Sequence, residues 1–285
     1  MQKFKVLFIG LGRMGFPMAG HLSKKKNIDL YVYNRTKKKE VNWLKNFNGS
    51  SYRLSNNCKF DYIITCLKDD QSLKIILKEI LNGKNFRKNT VLIDHSTISI
   101  GLVNLISNIF ENKLSFLDAP VTGGEEGAKN GKLSVMVGGN ASSFKKSKLI
   151  MSAYSKNITY MGKSGNGQLT KFTNQILICG ILYSISEAFK FGKKNNINLN
   201  KLYDAIKNGA AGSWQFSNRF PTIINNKFNF GFSTELMAKD LKYVLKQAKK
   251  NQINLKLTKE VYLKYKKLSN SIYKKSDTSS LIKTF

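Results

Sequence analysis

The sequence predicts an α/β protein in two parts: a parallel sheet interleaved with helices over residues 1–162, then an all-α region over residues 163–285. Three observations carry that prediction. Short, near-continuous apolar runs recur through the first part with helical segments between most of them, the pattern of strands covered on both faces. The first run leads straight into Gly10-Leu11-Gly12-Arg13-Met14-Gly15. From Gln168 to about Lys193 nothing interrupts a long helix, and after it the pattern stays helical with no strand series.

The predicted strands are "KVLFIG", "DLYVYN", "YIITCL", "TVLIDHS", "LSFLDAP" and "SVMVGG", with "NITYMG" as an edge strand. An amphipathic helix from Met14 to about Lys25 follows the first of them. In that context the glycines read as a dinucleotide-binding turn. Gly10 permits the turn, Gly12 lets a pyrophosphate approach the backbone, and Gly15 lets helix and strand pack closely. Leu11, Arg13 and Met14 complete the loop, and the helix N-terminus turns NH groups and positive dipole toward the phosphates.

The second strand ends Asn34-Arg35-Thr36, followed by Lys37 and Lys38, where a cofactor with a free 2′-hydroxyl calls for an acid. The missing acid, with Arg35 to pair a 2′-phosphate and Asn34 and Thr36 to donate hydrogen bonds, predicts NADP, with NAD the alternative. The third strand ends Cys66-Leu67-Lys68, so the main chain of Leu67 and Lys68 is expected to border the adenosine, with Cys66 a small core residue.

Ser96 and Thr97 of "DHSTIS" stand at the carboxyl end of the fourth strand. In "DAPVTGG", Thr122 is followed by Gly123 and Gly124: one hydroxyl donor and adjacent exposed NH groups, a cradle for a carboxylate. Then comes "GNGQLTKFTNQ" at 165–175, where Lys171, Asn174 and Gln175 lie at i, i+3 and i+4 on one helix face. A lysine desolvated there is a candidate proton-transfer group, since desolvation lowers a lysine's pKa toward the useful range.

Composition bounds the alternatives. The 285 residues carry a net charge of +31, yet only five of the 48 basic residues are arginine (Arg13, Arg35, Arg53, Arg87, Arg219). Lysine spread evenly among many asparagines reads as coding bias rather than a selected nucleic-acid surface, which favours arginine in clustered stripes. Such charge still attracts anionic substrates and cofactors at low salt. Three cysteines without metal spacing suggest a reducing compartment, and no apolar stretch is long enough for a membrane helix; a cytoplasmic protein is expected. The two histidines, His21 and His95, lack metal-ligand spacing, so no metal is assigned.

"FIGLGRMGFPMAGHL", "DHSTIS", "DAPVTGG", "GNGQLTKFTNQ", "ELMAKDL" and the terminal "DTSSLI" follow one another in an order that resembles the β-hydroxyacid dehydrogenase family. That family includes 3-hydroxyisobutyrate dehydrogenase, tartronate semialdehyde reductase and relatives of 6-phosphogluconate dehydrogenase. The resemblance covers essentially the whole chain. It implies a Rossmann-like N-terminal domain, a long interdomain helix, an all-α C-terminal domain and homodimers or homotetramers. It also implies that Lys171 is the general acid on the carbonyl oxygen, that Thr122, Gly123 and Gly124 hold the substrate carboxylate, and that Asn174 or Gln175 positions the substrate. Lys239 of "AKDL" would approach the cofactor and Asp240 would orient it. Two departures stand out: Thr122 replaces the family's usual Ser, and Gln175 stands where an amide four residues after the lysine is commonest. Asn174-Gln175 is the pairing of tartronate semialdehyde reductase-like members.

In the second half, helices are expected near 199–208, 216–224, 233–250 and 258–270, with "GAAGSWQF" a loop presenting Trp214 and Phe216. A large aromatic is usually core; the family resemblance implies instead that Trp214, with Phe232, walls the substrate pocket. The resulting expectation is an NADP-preferring oxidoreductase that interconverts a short 3-hydroxy acid and its semialdehyde, with 2-hydroxy-3-oxopropionate (tartronate semialdehyde) foremost. 3-Hydroxyisobutyrate, glyoxylate and succinic semialdehyde are the alternatives. The non-enzyme alternative is a nucleotide-binding protein with a basic nucleic-acid-binding surface.

Overall fold

A computed structural model describes residues 3–285. The chain divides into two compact units, Met1–Lys171 and Phe172–Phe285. The first contains, in order, β1 (Phe4–Ile9), α1 (Gly15–Ser23), β2 (Ile28–Tyr33), α2 (Lys37–Asn46), β3 (Ser50–Ser51), β4 (Tyr62–Thr65), α3 (Asp70–Asn82) and β5 (Val91–Asp94). It continues through α4 (Ile100–Phe110), β6 (Ser115–Asp118), β7 (Val121–Thr122), α5 (Gly124–Lys129), β8 (Leu133–Gly139), α6 (Ala141–Met151) and β9 (Ser155–Gly162). The long helix α7 (Asn166–Lys194) carries the chain into the second unit.

The strands form one sheet in the order β3-β2-β1-β4-β5-β6-β8-β7, with β9 paired to β8. Strands β3 through β6 run parallel, in the register Ile9↔Thr65 and Thr65↔Asp94, and next Asp94↔Asp118. The strands read as continuous apolar runs because both faces are covered. Val6, Phe8, Ile64 and Ile93 point into one buried layer, and Leu7, Ile9, Ile63 and Leu92 into the other.

A fully parallel sheet was expected, and β8 departs from it, running antiparallel to β6 and β7. The cause lies in the connection. A parallel return needs a crossover, usually a helix that runs back along the sheet, but of the fourteen residues between β6 and β8 only the six of α5 are helical, and β7 takes up two more as a strand. The chain folds back instead. The longer α6 then restores a parallel pairing between β8 and β9. The two-residue strands β3 and β7 carry too little pattern to be read from sequence.

The second unit is helical: α8 (Leu199–Ile206), α9 (Trp214–Ile224), α10 (Thr234–Lys250) and α11 (Lys256–Ser269), closed by short 3-10 turns at Ile272–Lys275 and Thr278–Thr284. The part of α7 in this unit faces its core through Cys179, Leu182, Ile185 and Phe189, spaced for one helix face. Phe216, Phe220, Met237, Leu241, Val261 and Tyr265 pack in the same core. The predicted loop at 209–216 ends earlier than expected. Ser213 caps α9 by accepting from the Phe216 NH at 3.0 Å, so Trp214 and Phe216 belong to the helix. Phe216 is buried, whereas Trp214 is 54% exposed and is no core aromatic.

Candidate active site

The glycine turn after β1 is built as its sequence requires. Gly10 has a positive φ of 103°, and a Cβ there would sit 2.4 Å from the Cys66 carbonyl. A Cβ on Gly15 would fall 1.9 Å from the Gly10 carbonyl. Gly12 differs: a Cβ there would meet nothing within 4 Å, so its backbone has an open face. This is the arrangement a dinucleotide needs, two glycines spent on packing and one left open to the phosphates. Met14 precedes α1, Leu11 is buried, and Arg13 is exposed.

At the end of β2, Asn34 serves the protein itself. Its Oδ1 accepts from the Leu11 NH at 2.9 Å, holding the glycine loop, and its Nδ2 donates to the Thr36 carbonyl at 3.0 Å. Arg35 and Thr36 are exposed. The nearby acid, Glu40, is 1% exposed and committed elsewhere: it accepts from the Asn34 NH, Lys37 and Ser51. Lys37 is tied to Glu40 while staying exposed, and Arg35, Lys38 and Lys39 are exposed beside it.

Behind the loops after β4 and β5 lies a buried polar network that the sequence reading missed. Asp94 is fully buried; its Oδ1 accepts from Thr65 Oγ1 at 2.7 Å and Ser96 Oγ at 2.6 Å. Ser96 Oγ in turn accepts from the Leu67 NH at 2.8 Å, tying the two loops together. The Ser96 hydroxyl is thus engaged within the protein, whereas Thr97 is half-buried and Lys68 exposed. Burial pushes the Asp94 carboxyl up to about 6 against the hydrogen bonds that lower it. His95, also buried, sets Nδ1 2.6 Å from the Ala119 carbonyl and Nε2 2.7 Å from the Tyr154 hydroxyl. The carbonyl can only accept, so Nδ1 carries the proton and Tyr154 donates to Nε2. Burial lowers the imidazole to about 4.

Asp118, at the end of β6, is the centre of the next layer. Its Oδ1 accepts from the Gly165 NH at 2.7 Å and its Oδ2 from the Gln168 NH at 2.9 Å, so it caps the start of α7 from another element. Gln168 bonds to the Ser96 carbonyl and the Ile98 NH. One turn further along α7, Lys171 is 8% exposed, the one buried lysine among the described residues. Its ammonium donates to the Val121 carbonyl at 2.9 Å. The next three residues are Thr122, Gly123 and Gly124, and both glycines hold positive φ, 121° and 65°. A buried cation is therefore aimed at the foot of a turn whose glycines turn their backbone outward. The signals available for Asp94 and Asp118 were their positions: a carboxylate closing an apolar strand has to find donors, because unpaired burial is costly.

In the second unit, the Gln175 amide is fully used. Its Nε2 donates to Asp240 Oδ2 at 2.7 Å, and its Oε1 accepts from Asn174 Nδ2 at 2.9 Å. Gln175 is buried and Asn174 half-buried. Lys239 Nζ lies 3.0 Å from Asp240 Oδ1, so this carboxylate is shared by a lysine and an amide. Trp214 and Phe230 flank the Arg219 guanidinium at 5.0 Å each, and Arg219 pairs with buried Asp277 at 3.0 Å. Phe232 is half-buried, and its NH donates to Asp277 Oδ2.

Residues 5–162 match the model of the NAD-binding domain of 6-phosphogluconate dehydrogenase. Residues 165–285 match that of the NAD-binding region of NADP-dependent 3-hydroxyisobutyrate dehydrogenase. The chain belongs to the β-hydroxyacid dehydrogenase family. An oxidoreductase of Shewanella frigidimarina is 38% identical over 98% of this chain and 97% of its own. The 2-hydroxy-3-oxopropionate reductase of Escherichia coli is 33% identical over 88% of this chain and 86% of its own. Among solved structures, a 3-hydroxyisobutyrate dehydrogenase of Mycobacterium tuberculosis with L-serine superimposes with a TM-score of 0.88, at 25% identity over 99% of both chains. As a β-hydroxyacid dehydrogenase the chain is an NAD(P)-dependent oxidoreductase with a Rossmann-like domain and a helical C-terminal region. Among the described residues, no helix is long and apolar enough to cross a membrane.

Proposed function

We propose that this β-hydroxyacid dehydrogenase interconverts a short 3-hydroxy acid and its semialdehyde, preferring NADP, with 2-hydroxy-3-oxopropionate as the leading substrate. The observation that carries the reading is Lys171: a buried ammonium 2.9 Å from the Val121 carbonyl, directly before Thr122-Gly123-Gly124. The Thr122 hydroxyl and the NH groups of Gly123 and Gly124 take the substrate carboxylate, which fixes the carbonyl relative to Lys171. When bound at the glycine turn, the nicotinamide cofactor supplies or accepts the hydride. Lys171 Nζ gives its proton to the carbonyl oxygen in reduction and takes it from the hydroxyl in oxidation. Its bond to Val121 holds the ammonium in place before the substrate enters.

Of the two amides that follow on α7, we assign Asn174 to the substrate. Gln175 is buried with both ends of its amide engaged, which suits it to holding Asp240 instead. The NADP preference rests on Arg35, exposed at the end of β2, and on Glu40, the nearest acid, being buried and paired with Lys37. The choice of 2-hydroxy-3-oxopropionate rests on the Asn174-Gln175 pair, on the methyl that Thr122 adds beside the carboxylate turn, and on the similarity to the E. coli reductase. A cytoplasmic homo-oligomer is the matching assembly.

The test is a steady-state screen of short semialdehydes and 3-hydroxy acids with both cofactors. The reading expects the highest kcat/KM for 2-hydroxy-3-oxopropionate with NADPH, with NADH about tenfold or more behind, the scale of one lost charge-assisted contact. Equal or better turnover with NADH would contradict the role of Arg35. A preference for 3-hydroxyisobutyrate would move the substrate to the branched member of the class.

A further inference from the structure

We infer that Asp118 is the positioning residue for Lys171: through the first turn of α7 its carboxylate fixes where the Lys171 ammonium stands. The inference rests on the role of Lys171 proposed above. It starts from an oddity of placement. A helix N-terminus at a protein surface is satisfied by an exposed Ser, Thr, Asn or Asp cap, at a gain of about 1 kcal/mol. Here a carboxylate with no exposed surface does the capping, although burying it is costly enough to push its pKa up to about 6. The two oxygens divide the work, Oδ1 taking the Gly165 NH and Oδ2 the Gln168 NH, so the turn is held at two points rather than one.

The backbone approaches closely at this point, so the carboxylate bonds the turn at short range to the strands beneath it. A Cβ on Gly167 would lie 2.4 Å from the Asp118 carbonyl and 2.5 Å from the Met136 carbonyl. A Cβ on Gly138 would lie 2.6 Å from Asp118 Oδ1 and 2.8 Å from the Gly167 NH nitrogen. The helix is seated directly on the ends of β6 and β8. Lys171 follows Gln168 by three residues, close to one helical turn, and its ammonium returns to Val121, three residues after Asp118. The segment 118–121 therefore grips α7 twice, by a carboxylate at the first turn and by a carbonyl at the second. Any rotation of α7 that the loss of Asp118 allows would carry Nζ away from Val121 and from the turn beyond it.

The experiment is a double-mutant cycle on the full chain with 2-hydroxy-3-oxopropionate and NADPH. Asp118→Asn keeps the shape but has one acceptor oxygen and an NH2, so either the Gly165 or the Gln168 NH must face a donor. The expected result is a kcat lowered about 10- to 100-fold, the scale of a misplaced reacting group, with the NADPH Kd within about twofold of wild type. In the Lys171→Met background the same substitution should leave kcat unchanged, because the group it positions is gone. Two results overturn the inference: an Asp118→Asn loss that multiplies onto Lys171→Met, which marks a general structural role, or no loss at all. If Asp118→Asn fails to fold by circular dichroism, Asp118→Ser goes through the same cycle. Acetylation footprinting of the folded variant gives a readout independent of turnover: Lys171 should react several-fold faster than in wild type while the surface lysines do not change. An unchanged Lys171 rate overturns the inference, whereas near-wild-type turnover of Lys171→Met alone overturns the reading beneath it.

Discussion

At the residue scale, the buried ionisable groups of the first unit shape both the site and its response to pH. Asp94 and Asp118 face each other across the register of β5 and β6, each pushed up to about 6 chiefly by burial, while His95 beside them is lowered to about 4. These shifts have opposite consequences. The folded chain keeps His95 neutral where a solvated imidazole takes a proton near 6.5, so its contribution is present above that value and is lost as pH falls toward 4. The loss amounts to roughly 3 kcal/mol over that window. The carboxyls bind protons more readily folded than unfolded, so their contribution grows on acidification between about 4 and 6. Comparison with His95→Gln isolates the imidazole. Urea unfolding should show wild type losing ground to the variant by about that amount between pH 6.5 and pH 4; a constant difference would mean that His95 is not held neutral.

At the element scale, two of the three glycines of the first turn are committed to packing and one is not. Gly15→Ala forces a Cβ against the Gly10 carbonyl and should lower Tm, whereas Gly12→Ala meets open space in the folded chain. Gly12→Ala should therefore leave Tm within about 1 °C while weakening cofactor binding about tenfold or more, because the added methyl occupies the approach to the phosphates. Titration by cofactor fluorescence and a thermal melt separate the two effects, and equal losses of Tm in both variants would contradict this division. The long periodic elements were legible in the sequence because pattern decides them. The near-continuous apolar runs of β1, β2, β4, β5 and β6 mark strands covered on both faces, and the uninterrupted α7 and the helices of the second unit follow from a period of 3.6. The reversal of β8 was not legible, since strand direction depends on how the connection folds rather than on the strand itself. The start of α9 was misread for a similar reason: the glycines before it suggest a loop, but the Ser213 cap decides where the helix begins. In the site, Lys171 and the Thr122 turn could be singled out because motif and position coincide. Asp94, Asp118 and Gln168 each reach partners about 30 to 70 residues away in the chain, which no local pattern encodes.

At the scale of the whole molecule, the chain is a highly basic member of a family whose cofactors and substrates are anions. With net charge +31 from lysines that lie almost wholly on the surface, the field draws phosphates and carboxylates in without specifying any site. A few cations stand out from that background. Lys171 is set apart by burial and by its bond to Val121, Lys239 by its pairing with Asp240, and Arg219 by its aromatic neighbours and Asp277. The first unit provides the glycine turn after β1, the Thr122-Gly123-Gly124 turn and, on α7, the buried lysine, so the proposed chemistry hangs on a single side chain. Single-turnover reduction of 2-hydroxy-3-oxopropionate by Lys171→Met at saturating NADPH tests that most directly. Cofactor affinity should stay at the wild-type level while the hydride-transfer rate falls by about 10² or more, the scale of a lost acid–base group; a rate near wild type would contradict the assignment of the proton to Lys171.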